Sequence, residues 1–313
     1  MDVTPRPADT TYAGTIAGIL PILRDCMALS KARLTTMVLI STLAGYCLGA
    51  RDQLDWMRLL ETLFGTALVA AGASALNQVW ERVADGIMRR TRQRPLPQER
   101  MRSRRVMWAA IAISVTGLLY LDLRVNGEAC LWAAVTLLLY VLLYTPMKQR
   151  SPFNTLVGAV AGALPPVIGW AAVAPVPPAS VPAESYTVLQ PWSLFLLLFV
   201  WQLPHFLATA WLYQDDYQRV GMRMWPNVDN GGAATGRLMV VESLLLIPVS
   251  ILPCLLKLSG MAYGAGAIVC GLALAALSIQ FAIKRTDRTA RGVFIASIAY
   301  LPIVLTLMVA DRL

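Results

Sequence analysis

The chain has 313 residues, 57% of them apolar and only 14% charged, with a formal net charge of +9 and a mean hydropathy of +0.58. That balance excludes a soluble globular protein of this length and specifies an all-α, polytopic membrane protein. The basic excess does not imply a nucleic-acid partner, because the arginines sit in short loops between apolar runs, where membrane topology accounts for them.

Residues 1–33 carry Asp2 and Asp9 and show neither an Arg-rich amphipathic pattern nor a clean signal peptide. They read as a cytoplasmic N-terminal segment, and they favour a bacterial plasma (inner) membrane over import into an organelle. Residues 34–313 read as one transmembrane domain. A helix needs about 20 residues to cross the hydrocarbon core, and nine runs qualify: 34–50, 59–80, 106–121, 129–146, 154–174, 191–213, 238–257, 261–283 and 292–310. The third and fourth are short and separated only by DLRVNGE, which fits a helical hairpin. In the fifth, Gly158, Gly162 and Gly169 allow close helix packing, while Pro165 and Pro166 must break or bend the helix. The five cysteines, Cys26, Cys47, Cys130, Cys254 and Cys270, form no C-x-x-C pair and indicate neither a disulfide framework nor a thiolate metal site.

Every second loop is basic. Nine arginines from Arg82 to Arg105 follow the second run, Lys148 and Arg150 the fourth, Arg219, Arg223 and Arg237 the sixth, and Lys284, Arg285, Arg288 and Arg291 the eighth. The segment APVPPASVPAESYTVLQ between the fifth and sixth has no positive charge. The N-terminus and the even-numbered loops are therefore expected in the cytoplasm, with the C-terminus on the other side.

The second run closes with NQVWERVADGIMRRTRQRPLP. On a helix, Asn77, Glu81 and Asp85 fall at i, i+4 and i+8 and share one face over about two turns. Carboxylates so placed suit Mg²⁺, which commonly uses one or two protein carboxylates together with substrate phosphates. Arg89, Arg90, Arg92 and Arg94 can supply forked donors to phosphate oxygens. A plainer account has the arginines as topology signals and the acids as their partners at a wet helix end. Against it stands Asn77, which lies deeper than the charges and gains nothing there unless it binds something. A second acidic element, Asp215 and Asp216, closes the sixth run four helices later, as it would if two four-helix units faced each other across a central cavity. The single histidine, His205, lies inside the sixth run behind Pro204, where an ionisable side chain is functional by default. It can hydrogen-bond a neighbouring helix or touch a haem iron, but alone it cannot build a metal site.

The stretches NQVWERVADGIMRRTRQRPLP, YTPMKQRSPFNTLVGAVAGALPPVIGW, WQLPHFLATAW and DDYQRVGMRMWP together resemble the UbiA-type intramembrane prenyltransferases, and within them the haem-farnesylating branch. The acidic elements carry the superfamily. The combination of R-T-x-x-R-P-L-P, G-A-x-P-P-x-I-G-W and P-H-F carries the branch. The resemblance implies that Asn77, Glu81 and Asp85 hold Mg²⁺ and farnesyl diphosphate, with Arg89, Arg92, Arg94, Lys148 and Arg150 near the phosphates. It places Asp215 and Asp216 in the second acidic element and His205 and Tyr217 on the substrate side. It also implies haem b as acceptor, membrane lipid as surroundings, an active site open to the cytoplasm, and haem A synthase or terminal-oxidase assembly proteins as partners. The implied chemistry is alkylation of a haem vinyl group. Two departures stand out: position 81 carries Glu where the family usually has Asp, and position 219 is Arg, so the second element is not a full Asp-x-x-x-Asp. Two other readings fit parts of the pattern: a related enzyme acting on a quinone or chlorophyll precursor, and a transporter with helices broken near the membrane midplane.

Overall fold

The computed structural model describes residues 21–50, 54–173 and 189–313. Most of the N-terminal segment and the loop without positive charge between the fifth and sixth runs lie outside the described residues. Among the described residues, nine helices are long and apolar enough to cross a membrane, one for each run read from the sequence. They are α1 (Ala32–Ala50), α2 (Trp56–Ile87), α3 (Ser103–Arg124) and α4 (Gly127–Leu138), the last continued through a π-helical stretch Leu139–Tyr144 into Thr145–Met147. The fifth span is α5 (Asn154–Ala163) followed by α6 (Pro165–Ala172). Then come α7 (Leu189–Leu212), two short helices α8 (Gln214–Arg219) and α9 (Trp225–Val228), and α10 (Ala233–Leu255), α11 (Met261–Lys284) and α12 (Asp287–Ala310).

Two boundaries matter for function. α2 runs 32 residues, two turns past the apolar stretch, so Glu81 and Asp85 are held on rigid helix instead of in a loop. The fifth span is interrupted between α5 and α6, because Pro165 and Pro166 have no N–H to continue the ladder. Pro204, by contrast, sits within an uninterrupted α7.

Neighbours in sequence pack as neighbours in space, α2 on α3, α7 on α10, and α10 on α11 on α12, while α6 returns to α1 and α12 to α7. The core falls into two main parts. One gathers Leu197, Leu246, Phe281, Val304 and other residues of α7 and α10–α12; the second gathers Tyr46, Leu59, Leu121, Ala129 and Ile168 from the first five spans. Lipid tails are as apolar as leucine, so contact between these helices depends on close fit. At Gly45 and Gly169 the backbones of α1 and α6 approach so nearly that a methyl at either position would run into the Pro166 or Thr42 carbonyl. Gly162 similarly leaves room for the Gln202 side chain, whose amide donates to the Ala159 carbonyl at 2.8 Å.

Candidate active site

At the end of the bundle marked by the basic loops lies a cavity of about 340 Å³. Its wall includes Lys31, Glu81, Asp85, Arg90, Arg94, Tyr140, Tyr144 and Lys148, with His205, Phe206 and Tyr217 from the other half of the molecule. A partly enclosed pocket with a few convergent polar groups is what a small-molecule site requires.

The helical spacing of Glu81 and Asp85 sends both carboxylates into this cavity. Each meets a cation. Lys148 Nζ lies 2.6 Å from Glu81 Oε1, and Arg94 Nη1 lies 2.7 Å from Asp85 Oδ2. The other Asp85 oxygen, Oδ1, is buried without a hydrogen-bond partner. A buried carboxylate oxygen left bare is costly unless something binds it.

Asn77 lies one turn below Glu81 on the same face and is fully buried. Both ends of its amide are engaged: Oδ1 accepts from Lys31 Nζ at 2.5 Å, and Nδ2 donates to Thr145 Oγ1 at 3.0 Å. Lys31 also donates to the Tyr140 hydroxyl at 3.2 Å. This lysine belongs to the N-terminal segment and was invisible to motif reading. The signal that could have found it is modest: a lysine flush against the first apolar run, which looks like any topology residue. The segment is pinned by Gln78, which donates to the carbonyls of Ala28 and Leu29, and by Arg100, which grips both oxygens of Asp25. Burial, aided by the neighbouring Lys148 charge and resisted by Glu81, pulls the Lys31 ammonium down to about 7. Lys148 moves the opposite way. Burial works against its charge, but Tyr144 and Glu81 outweigh it and hold it above the ordinary lysine range; its Nζ also sits 4.3 Å from the centre of the Tyr144 ring.

Of the arginines singled out from the sequence, Arg94 reaches the cavity, and so does Arg90, whose guanidinium lies 4.9 Å over the Tyr213 ring. Arg89, Arg92 and Arg150 are exposed and lie outside the cavity wall. The alternation has a local cause: the chain after α2 turns tightly, with Thr91 Oγ1 donating to the Asp85 carbonyl at 3.0 Å, so successive side chains point apart.

The second acidic element also stands outside the cavity. Asp215 is exposed. Asp216 is buried and accepts from the backbone N–H groups of Arg89 at 3.2 Å and Arg90 at 3.3 Å, with Arg219 at 3.8 Å. It thereby clamps the turn that aims Arg90 and Arg94. The loop after α8 docks in the same way, Arg223 N–H donating to the Lys148 carbonyl at 2.7 Å and Asn154 Nδ2 to the Arg223 carbonyl at 3.0 Å. Tyr217 and the sulfur-bearing Met222 and Met224 then close one side.

Among the described residues no three His, Cys, Asp or Glu side chains cluster as a protein-only metal cage. Two carboxylates on one helix face, one oxygen of which is orphaned, instead fit a hard cation that shares its shell with water and substrate phosphates, as Mg²⁺ does.

A membrane-embedded cavity with paired acids, four convergent basic groups and apolar walls defines an enzyme that handles an anionic head on an apolar tail. The chain belongs to the UbiA prenyltransferase family, whose model matches residues 38–298. Among its relatives, the protoheme IX farnesyltransferase of Solibacter usitatus (strain Ellin6076) is 42% identical, covering 93% of this chain and 99% of that one. That of Anaeromyxobacter dehalogenans (strain 2CP-C) is 40% identical over 97% and 99%. The fold is that of solved family members. A digeranylgeranylglyceryl phosphate synthase superposes with a TM-score of 0.75 at 18% identity over 92% of this chain and 98% of that one. A UbiA homologue from Archaeoglobus fulgidus bound to GPP and Mg²⁺ gives 0.60 at 14% identity over 91% and 99%.

Proposed function

We propose that this protein transfers the farnesyl group of farnesyl diphosphate to a vinyl group of haem b, giving haem O, from a single transmembrane domain (34–313) of a bacterial plasma membrane whose cavity opens to the cytoplasm. The observation that carries the reading is the convergence of Glu81, Asp85, Lys31, Lys148, Arg90 and Arg94 on one apolar-walled cavity that also contains the chain's only histidine. The relatives' names supply the donor and acceptor.

Glu81 and Asp85 would hold Mg²⁺ together with the diphosphate, and Asn77 supports them from below by fixing Lys31. When bound, the metal supplies a positive charge that neutralises the departing diphosphate. Arg90, Arg94, Lys31 and Lys148 add donors to the same oxygens, and being positioned beforehand they need no reorganisation as charge develops. The C–O bond to the farnesyl C1 breaks with its electron pair leaving on the diphosphate. The vinyl π pair then forms the new C–C bond, and the resulting benzylic-type cation takes up water and loses a proton, leaving a hydroxyl. Phe206 and the aliphatic wall keep water from the allylic cation until the vinyl carbon attacks.

The acid-and-base pairing also defines a test. Farnesyl diphosphate binding to the purified protein in detergent, followed by calorimetry, is expected to weaken at least about tenfold when Mg²⁺ is chelated, since hydrogen bonds and contacts to charged groups contribute on the order of 1.5–3 kcal/mol each. Unchanged affinity without the metal would remove it from the site.

A further inference from the structure

His205 lies in α7 seven residues before its end at Leu212, roughly 10 Å deeper than the helix terminus at 1.5 Å per residue. Its ring stacks on Trp201 at 5.7 Å and on Phe294 of α12 at 5.1 Å, so its plane is set by two aromatic neighbours. Nδ1 lies 2.9 Å from Ser297 Oγ.

The serine decides the tautomer. Ser297 Oγ sits 2.7 Å from the Phe294 carbonyl oxygen. Two oxygens that close need a proton between them, and a carbonyl has none, so the single hydroxyl hydrogen of Ser297 is committed there. Ser297 Oγ can then only accept from the imidazole, which puts the ring proton on Nδ1 and leaves Nε2 with a bare lone pair. Nε2 has no hydrogen-bond partner among the described residues, and the ring lines the cavity. The nearby Thr209 hydroxyl does not serve it, since that hydrogen goes to the His205 carbonyl at 2.8 Å. A partner that holds Nδ1–H so that Nε2 is free and correctly aimed is the arrangement by which proteins orient metal-binding histidines.

We infer that His205 Nε2 is an axial ligand for the iron of the porphyrin acceptor, and that Ser297 is its positioning residue. The inference rests on the haem reading above and adds a selection rule to it: the cavity reads the metal in the ring as well as the shape of the macrocycle. The iron sits deep, beside α7 and α12, while the diphosphate is gripped at the mouth by the acids and bases of α2 and its following turn. A ring anchored at its centre brings one peripheral vinyl toward the mouth. A porphyrin without iron keeps the shape and the vinyl groups but loses the anchor.

The experiment compares the affinity of the full-length purified protein for haem b and for iron-free protoporphyrin IX, in wild type and in His205→Ala and Ser297→Ala. The inference expects both variants to weaken haem b binding, His205→Ala by about tenfold or more, as loss of a ligand or its support typically does, while protoporphyrin IX binding stays put. Added imidazole should restore the haem visible spectrum in His205→Ala. Resonance Raman of the ferrous wild-type complex should show an iron–histidine stretch, a readout that stands even if a variant fails to fold. Equal loss of both porphyrins in His205→Ala, or no iron–histidine signal in wild type, would overturn the inference while leaving the haem reading intact. A wild-type protein that binds neither porphyrin would overturn the haem reading itself, and the inference with it.

Discussion

At the scale of single residues, Asp85 is the side chain on which the site depends most. One oxygen is matched by Arg94 and the other has no partner, so its charge is only half compensated by the protein. Asp85→Ala is expected to lower turnover by more than about a hundredfold, the size of effect seen when one electrostatic contact to a developing charge is lost, with the folded protein still purifying as wild type does. Retained activity would take Asp85 out of the reaction. Glu81, on the longer arm of a glutamate, reaches Lys148 at 2.6 Å. Lys31 gives a pH signature. Its folded-state value, pulled to about 7 by burial and by Lys148, means the empty pocket is fully charged below about 7 and loses one positive charge as pH rises through it. Farnesyl diphosphate affinity should therefore fall across that window in wild type. Lys31→Arg, which stays protonated, should abolish the inflection, and a flat wild-type profile would show that Lys31 does not face the ligand.

Elements explain which parts of the site were legible in sequence and which were not. A spacing of four on one helix survives any detail of packing, so the shared face of Asn77, Glu81 and Asp85 could be read directly, as could nine spans from apolar runs of sufficient length. What no period encodes is the path of the turn after α2. The sequence presents four nearby arginines as equals, whereas the turn sends Arg90 and Arg94 inward and leaves Arg89 and Arg92 in the open. Asp216 was legible as an acid near the site but not as the clamp on that turn, because its partners are backbone N–H groups more than a hundred residues away, which leave no mark on sequence. The same holds for Lys31, whose place depends on how residues 21–31 fold back over α2. Close helix contact at α1 and α6 was foreshadowed by Gly169. A methyl there meets the Thr42 carbonyl, so Gly169→Ala is expected to cost about 1–3 kcal/mol by overpacking and to lower the thermal midpoint in detergent. An unchanged midpoint would show that the two helices can separate without cost.

Across the described residues, the two main apolar clusters let the first five spans and the last four meet around the cavity, with acids and bases at its mouth and aromatic residues with one histidine further in. The polar mouth suits a diphosphate, and the apolar depth suits a prenyl chain and a porphyrin. A transporter would have little use for so many fixed charges converging at one end with a carboxylate oxygen left bare. The most direct measurement is the mass of the pigment extracted after the protein, reconstituted in liposomes with Mg²⁺, is given farnesyl diphosphate together with equal amounts of haem b and 4-hydroxybenzoate. Haem heavier by one farnesyl group and one hydroxyl group is expected, formed only when Mg²⁺ is present. Unmodified haem alongside prenylated hydroxybenzoate would contradict it.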